Sequence, residues 1–154
     1  MPQRVIDGVE ELRGLVGQEV AIGDWFTITQ AQINTFADVT HDRQWIHTDP
    51  ERARRDSPFG TTVAHGFLTL SLLSHLHSQA VQIRGNVRMA INYGVNRVRF
   101  TSAVRAGSRI RTRSVLQELK EIADGIHLVW TIAVEIEGTT KPALVAEWLV
   151  RLYL

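Results

Sequence analysis

Residues 66–80 read GFLTLSLLSHLHSQA, a leucine-rich segment that contains no Asp, Glu, Lys or Arg. At helical spacing its leucines fall on more than one face, and only small or neutral polar residues separate them. A helix that is apolar on most sides is a buried one. The sequence therefore predicts one buried helix over residues 66–80.

The pattern of apolar and polar residues changes after this helix. From about Arg84 onward, apolar and polar residues alternate with a period of two, β-branched residues are frequent, and short glycine-containing breaks interrupt the pattern. Close turns rather than helical crossovers join consecutive segments, which favours an antiparallel meander. One buried helix followed by such a sheet is an α+β arrangement. The predicted strands are residues 95–100, 108–119, 125–137 and 141–152.

Two further helices are predicted before residue 66. Apolar residues at helical spacing predict a short amphipathic helix over residues 5–16, which Gly17 ends. Thr29 stands three residues before Gln32, the pattern of a capping box, and opens a helix that runs to about Thr40.

Composition limits the classes of function that the chain can serve. Its 154 residues are enough for one domain, which we place at 1–154, and 17 Lys and Arg against 16 Asp and Glu leave a charge of only +1. No bulk field recruits nucleic acid or an anionic membrane. The absence of cysteine excludes disulfides, thiolate catalysis and Cys-ligated zinc. With no signal peptide at the amino terminus and no apolar run that could span a bilayer, a cytoplasmic protein is expected.

The densest cluster of ionisable side chains lies in residues 41–49, HDRQWIHTD. The polar stretch 41–57 reads as a loop, with one helical turn possible after Pro50. Asp42 and His47 are five residues apart, so they would not share a helix face and could point into one pocket only if the segment between them turns. Spacing alone favours the other interpretation, in which both are solvated charges beside a helix end.

Gly66 stands where the buried helix begins. A helix start offers unpaired amides and a positive dipole end, which suit an oxygen that gains negative charge in a reaction, and glycine lets a ligand approach the backbone closely. A glycine near a helix start with no further role is the commoner case. Ser74 lies inside the same helix, where a serine often only bonds its own backbone.

Several other motifs are absent. His75 and His77 face different directions on a helix and are poor candidates for metal ligands. His41, Asp42, His47 and His65 lack any established metal-ligand spacing, so no metal site is expected. The sequence also contains neither a glycine-rich phosphate loop nor a G-x-S-x-G nucleophile elbow.

The stretch FADVTHDRQWIHTDP at residues 36–50, followed by VAHGFL at residues 63–68, resembles the hydratase motif of the MaoC-like dehydratases, the R-specific enoyl-CoA hydratases. The likeness extends over most of the chain and is nearest to single-domain members of actinobacterial type that carry the motif as DxQWIH. It implies that Asp42 and His47 are the catalytic pair and that the Gly66 amide binds the thioester carbonyl. Ser74, His65 and Gln44 are implied as supporting residues, although Gln44-Trp45 replaces the Asn-Pro of the commoner motif.

The resemblance also implies a fold and an assembly. The family has the hot-dog fold, a long central helix wrapped by an antiparallel sheet, usually in a homodimer with one continuous sheet. The expected reaction is reversible addition of water to a trans-2-enoyl thioester of CoA or acyl carrier protein, without a metal or organic cofactor. A hot-dog thioesterase is the nearest alternative. It is disfavoured because thioesterases of this fold usually have a carboxylate on the central helix, and residues 66–80 contain no Asp or Glu. The second alternative is a non-catalytic acyl-binding module.

Overall fold

The computed structural model describes residues 2–154. Its helices and strands alternate irregularly in the first half of the chain, whereas the second half contains only strands. In chain order the elements are β1 (Arg4–Asp7), α1 (Val9–Arg13), β2 (Glu19–Ile22), β3 (Phe26–Thr27), α2 (Gln30–Thr40), α3 (Trp45–Thr48), α4 (Pro50–Asp56), α5 (Gly66–Ser71), α6 (Leu73–Ala80), β4 (Val81–Arg84), β5 (Met89–Phe100), β6 (Arg109–Ile122), β7 (Gly125–Ile136) and β8 (Leu144–Tyr153).

The predicted helix is present over residues 66–80 as α5 and α6. Its predicted burial on most sides is wrong for one chain, because Phe67, Ser74 and His75 are exposed and only the face towards the sheet is buried. Leu72 joins α5 and α6 in a right-handed helical conformation with φ −75° and ψ −8°. The hydrogen bonds continue across it, since Leu72 N donates to Leu68 O at 3.1 Å and Leu76 N donates to Leu72 O at 2.9 Å. We therefore treat residues 66–80 as one element, the central helix. Its leucines 68, 73 and 76 are buried in the main hydrophobic core.

The main sheet is antiparallel, and its strands lie in the order β2-β6-β7-β8-β5, with β3 also paired to β6. The predicted meander is right for β6, β7 and β8 but wrong for β5, which pairs with β8 at the opposite edge from β2. The reason is that residues 101–108 do not form a tight turn. They cross the end of the sheet, where Thr101 N donates to Ala143 O at 2.9 Å and Ala106 N to Thr62 O at 3.0 Å.

The core lies between the central helix and one face of the sheet. Alternate residues of β6, β7 and β8 are buried, as the period of two predicts. This packing of one long helix on an antiparallel sheet is the hot-dog fold, and the α+β class is confirmed. The largest fully buried side chains of the sheet are Trp130, Ile110, Leu116, Ile126, Leu128, Ile132, Leu144 and Val134.

The predicted helix over residues 5–16 is wrong at its start. Residues 4–7 form β1, which pairs in parallel with β4, and Gly8 with φ 90° breaks the chain direction before α1 begins at Val9. Pairing with residues 81–84 outweighs the helical spacing of Val5 and Ile6. The short strands β2 and β3 were likewise absent from the sequence-based prediction, because their pairing with β6 is not encoded locally.

The α2 helix confirms the capping box. Thr29 Oγ1 accepts from Gln32 N at 3.2 Å, and Gln32 Oε1 accepts from Thr29 N at 2.8 Å. The following segment was predicted as a loop with one possible helical turn at Asp49 and Pro50. That turn is confirmed as the start of the seven-residue α4, which begins at Pro50 and which Asp49 caps by accepting from Arg52 N at 3.0 Å. The single turn of α3 was not predicted. None of the helices within residues 2–154 is both long and apolar enough to cross a membrane.

Candidate active site

Asp42 lies in the short connection between α2 and α3. After Thr40 the backbone of His41 is left-handed, with φ 62°, and the chain changes direction sharply. Asp42 Oδ1 accepts a 3.4 Å hydrogen bond from Gln44 N, and Gln44 O in turn accepts from His47 N at 3.0 Å. The single turn of α3 is therefore the bend that Asp42 and His47 need in order to face the same space.

His47 is buried, with 7% of its surface exposed. Its Nδ1 is 2.6 Å from Val63 O. A carbonyl oxygen only accepts, so Nδ1 carries the hydrogen and Nε2 keeps its lone pair. Burial lowers the pKa of His47, the bond to Val63 opposes this, and the neighbouring His65 lowers it further. His47 thus presents a neutral ring whose free nitrogen accepts a hydrogen bond.

His65 stands directly before the central helix and is 3% exposed. Its ring stacks on the His47 ring, with centroids 3.8 Å apart and planes 23° apart, and the Phe36 ring lies 4.9 Å from it. His65 Nε2 is 2.9 Å from the backbone oxygen of Asp42 and 4.0 Å from Asp42 Oδ2. The structure therefore brings together Asp42, His47 and His65, three of the residues that the sequence singled out.

These three side chains present atoms within 4.8 Å of one another, as the ligands of a metal would. The hydrogen positions argue against that use. His47 Nδ1 and His65 Nε2 both face carbonyl oxygens and carry hydrogens. Only His47 Nε2 and the Asp42 carboxylate then offer lone pairs to the shared space, whereas zinc sites use three or four protein ligands.

Gly66 opens the central helix beside Phe100. A Cβ at this position would lie 2.9 Å from carbons of the Phe100 ring, closer than real Cβ contacts. Glycine is therefore required here by a close approach. Gly66 lines a cavity of about 240 Å³ together with Ala64, Thr69 and Phe100, so a ligand in that cavity is able to reach the helix start.

Ser74 and Gln44, the remaining predicted site residues, lie in different places. Gln44 has an exposed side chain and contributes through its backbone, as described above. Ser74 Oγ accepts from Asn92 Nδ2 at 3.1 Å, and Asn92 Oδ1 accepts from Trp148 Nε1 at 3.2 Å. Within residues 2–154 of one chain, Ser74 makes no hydrogen bond to Asp42.

A second cavity, of about 320 Å³, lies beside the other half of the central helix. His77 lines it, packs against Trp130 at 4.5 Å between ring centroids, and forms a 3.1 Å hydrogen bond to Ser114 Oγ. Burial lowers the pKa of His77 to about 4. His75, by contrast, is exposed and contacts Phe26, which confirms that His75 and His77 face different directions. The other lining residues are Ser74, Ser78, Val81, Ile83, Val87, Ala90, Asn92, Leu128, Trp148, Val150 and Leu152.

Sequence reasoning missed the residues that hold the pair in place. Gln30 Nε2 donates to His47 O at 2.7 Å, and Thr62 Oγ1 donates to Gln30 Oε1. Val63 accepts from the His47 ring. Only the polar Gln30 just inside a capped helix offered a local signal, since these contacts join parts of the chain that are distant in sequence.

The chain is similar in sequence to one protein family and to several known proteins. Residues 11–137 match the family model described as "MaoC like domain". The chain is 48% identical over 149 residues to 3-hydroxyacyl-thioester dehydratase Z of Mycobacterium tuberculosis, covering 96% of this chain and 97% of the relative. It is also 48% identical over 142 residues to nodulation protein N of Rhizobium meliloti, covering 92% and 88% of the two chains.

A solved structure supports the same fold. The (R)-hydratase from A. caviae involved in PHA biosynthesis superposes with a TM-score of 0.71 at 25% identity, covering 89% of this chain and 96% of the other. The sequence comparisons and this superposition therefore extend over nearly the whole length of the chain, including both halves of the candidate site.

Proposed function

Because the chain belongs to the family of MaoC-like dehydratases, we propose that it is an (R)-specific hydro-lyase that adds water reversibly to trans-2-enoyl thioesters. The observation that carries the proposal is the pairing of Asp42 with a His47 ring fixed as a hydrogen-bond acceptor. A carboxylate and an imidazole nitrogen less than 5 Å apart are separated by the right distance for one water that donates a hydrogen bond to each.

The water between them is the nucleophile. Asp42 and His47 accept its two hydrogens, so an oxygen lone pair is free to attack C3 of the enoyl group. As the C3–O bond forms, the C2=C3 electrons move toward the thioester oxygen, Asp42 takes the water proton, and a proton returned through the pair bonds to C2. One O–H bond and one π bond are broken, one C–O and one C–H bond are formed, and both residues end as they began.

Gly66 is proposed to bind the thioester oxygen. Its amide stands at the first position of the central helix, at a cavity that a ligand is able to enter. Negative charge that develops on the thioester oxygen is stabilised by an amide donor and by the helix start. The thioester itself acidifies C2, so the scheme needs neither a metal nor an organic cofactor.

A homodimer is the proposed assembly. β5 pairs only with β8 within residues 2–154, and its exposed side chains include Met89, Ile91, Tyr93, Val95 and Phe100. A long apolar edge strand of this kind is normally covered or paired. Pairing with β5 of a second copy would continue the sheet and protect the strand.

The dimer also accounts for two features of the site. The Asp42 side chain is 54% exposed in one chain, more than expected for a catalytic base in a desolvated pocket. Ser74 contacts Asn92 of β5 and is therefore near the proposed interface, where it is placed to support the partner's Asp42. The acyl chain would then enter the apolar cavity beside the second half of the central helix. The proposal places the reaction in the cytoplasm, where thioesters of CoA and carrier proteins are formed.

Hydration of 2-enoyl-CoA substrates tests the function. The absorbance of the conjugated thioester is followed for acyl chains from crotonyl upward, and the product is analysed on a chiral column. The expected result is an (R)-3-hydroxyacyl-CoA. A racemic or (S) product would contradict the stereochemical part of the proposal, and a protein that leaves every enoyl thioester unchanged while binding it would be an acyl-binding module.

Two variants test the residues. Asp42→Asn removes the base and His47→Gln removes the imidazole, and each is expected to lower kcat by roughly 10²–10⁴-fold. Circular dichroism checks that both variants are folded. Near-normal turnover in both would overturn the assignment. Release of free thiol, measured with DTNB, would instead indicate a thioesterase.

The edge strand provides the test of the dimer. Ile91→Asp places a charge among the exposed apolar side chains of β5 and is expected to yield a folded monomer by light scattering, with activity lost together with the interface. A dimer that persists unchanged, or a monomer with full activity, would contradict the proposed assembly.

A further inference from the structure

His65 contacts Asp42 and His47 and directly precedes Gly66 in the chain. Its Nε2 is 2.9 Å from the backbone oxygen of Asp42. Its ring stacks on His47 with 3.8 Å between centroids. The next residue in the chain is Gly66, the first residue of the central helix. His65 is therefore linked to the base and the imidazole through its side chain, and to the proposed carbonyl-binding amide through the backbone.

The hydrogen bond to Asp42 fixes the protonation pattern of the ring. Because the Asp42 carbonyl oxygen can only accept, His65 Nε2 carries a hydrogen. Nδ1 is buried and has no hydrogen-bond partner within residues 2–154. A second hydrogen on Nδ1 would therefore be a buried donor without an acceptor, which favours a lone pair on Nδ1. A buried polar atom without a partner is uncommon in native proteins and calls for an explanation.

The explanation lies in the two contacts that the ring makes at once. A phenyl ring would stack between His47 and Phe36 but would donate nothing to Asp42. A glutamine amide would reach the Asp42 carbonyl but would not stack. An imidazole supplies both a flat ring and a donor at that distance, and its second nitrogen is then left without a partner in the described part of the chain.

We infer that His65 is a positioning residue which, as its neutral Nε2–H tautomer, sets the separation and relative orientation of Asp42, His47 and the Gly66 amide. This inference rests on the proposed function, since it specifies how the same site is held in its working geometry. A displacement of about 1 Å in a catalytic group can reduce turnover by roughly 10²-fold. Loss of the positioning contact should therefore appear mainly in kcat.

Two substitutions separate the contacts. His65→Phe keeps the ring and removes the donor, and we expect kcat to fall about 10- to 100-fold with KM changed less than about threefold. His65→Gln restores a donor near the position of Nε2 and is expected to recover part of the loss. His75→Phe is the matched control, because His75 is an exposed histidine on the central helix that His65 precedes, outside the proposed site. Its kcat should equal that of the unmodified protein.

A double variant distinguishes positioning from a general structural effect. If His65 acts through the catalytic pair, His65→Phe should have little further effect on kcat once His47→Gln has already disabled that pair. Equal fold-losses from His65→Phe in both backgrounds would show that the residue only supports the fold. A kcat within twofold of the unmodified protein in His65→Phe would also overturn the inference.

Nitrogen-15 NMR of the imidazoles of the unmodified protein provides a readout that does not depend on activity or on the folding of a variant. The expected spectrum assigns to His65 a protonated Nε2 and a bare Nδ1. A hydrogen on Nδ1, alone or on both nitrogens, at neutral pH would overturn the inference even if hydration is observed. Absence of hydration together with the expected tautomer would instead refute the proposed function and leave the described geometry of His65 correct.

Discussion

The two halves of the central helix each have buried histidines, but the surroundings of those histidines differ. At its beginning, His47 and His65 donate to backbone carbonyls of Val63 and Asp42, which fix one tautomer for each ring. In the second half, His77 contacts a hydroxyl, two tryptophan rings and an apolar cavity. A hydroxyl both donates and accepts, so it fixes no tautomer.

This difference shows what a buried histidine needs in order to take part in chemistry. Carbonyl partners leave a defined nitrogen available, and the His47 ring has a nitrogen within 4.8 Å of a carboxylate oxygen of Asp42. Burial without such partners only suppresses the charge, as it does for His77, whose pKa falls to about 4. The beginning of the helix therefore has the contacts that the proposed proton transfer needs, and the second half holds a histidine that stays neutral beside apolar groups.

The largest expected effect concerns Gly66. In Gly66→Ala the new Cβ meets the Phe100 ring at 2.9 Å, so the ring or the helix start has to shift. We expect the helix start to move and to displace the proposed oxyanion donor. Displacing an oxyanion donor costs roughly 10²–10³-fold in kcat. Enoyl-CoA hydration measures the loss. Adding Phe100→Ala removes the obstructing ring and should restore much of the activity, and failure of this double variant to recover would contradict the steric explanation.

The second half of the helix is tested by the pH dependence of stability. The pKa of His77 is about 4 in the folded protein, against an ordinary value of 6.5. As pH falls below 6.5, the unfolded chain takes up a proton that the folded protein refuses, so folding stability is complete above pH 6.5 and declines toward pH 4. Between pH 7 and pH 5 this amounts to about 2 kcal/mol. Urea unfolding at both pH values measures it.

His77→Asn identifies the source of that decline. An asparagine keeps a nitrogen near Nδ1 for Ser114 but does not titrate, so the loss of stability on acidification should become smaller by about 2 kcal/mol. His75→Asn removes an exposed histidine from the same helix and should leave the decline unchanged. The lowered pKa of His47 acts in the same direction, so some pH dependence should persist. An identical decline in His77→Asn and the unmodified protein would refute the assignment.

A smaller effect is expected on the acid side of the activity profile. His47 accepts from the water only while it is neutral, and its pKa lies below the ordinary value of 6.5 because it is buried. The midpoint of the acid-side decline should therefore lie below pH 6.5, and below that midpoint activity should fall by about tenfold per pH unit. The ratio kcat/KM across pH 4.5–8 checks this. A midpoint at or above pH 6.5 would contradict the proposed environment of His47.

The sequence predicts the elements that depend on local contacts and misses those that depend on contacts between distant parts of the chain. The central helix and α2 follow from their own residues, since apolar periodicity and the Thr29–Gln32 capping box are local signals. The placement of β5 beside β8 does not, because residues 101–108 carry it across the sheet through bonds to Ala143 and Thr62. Only contacts formed after folding distinguish a turn from a crossing segment.

The candidate site also has a part that the sequence predicts and a part that it does not. Asp42 and His47 were chosen through family resemblance, because spacing alone favoured two solvated charges. The bend that joins them depends on α3, whose His47 backbone oxygen is held by Gln30 on another helix. Phe100 and Asn92 also contact predicted site residues, yet both belong to an edge strand whose partners no local pattern reveals.

The smallest expected effect compares two adjacent residues of α2. Thr29→Ala removes the cap, whereas Gln30→Ala removes the bonds to His47 O and Thr62. Each should lower the free energy of unfolding by about 1 kcal/mol. Only Gln30→Ala should also lower kcat, by several-fold, because Gln30 holds the backbone of His47, the proposed catalytic imidazole. Urea unfolding and hydration rates measured on both variants test this. Equal kcat values in the two variants would contradict this prediction. They would mean that the contacts of His47 with Val63 and His65 are enough to hold its ring without Gln30.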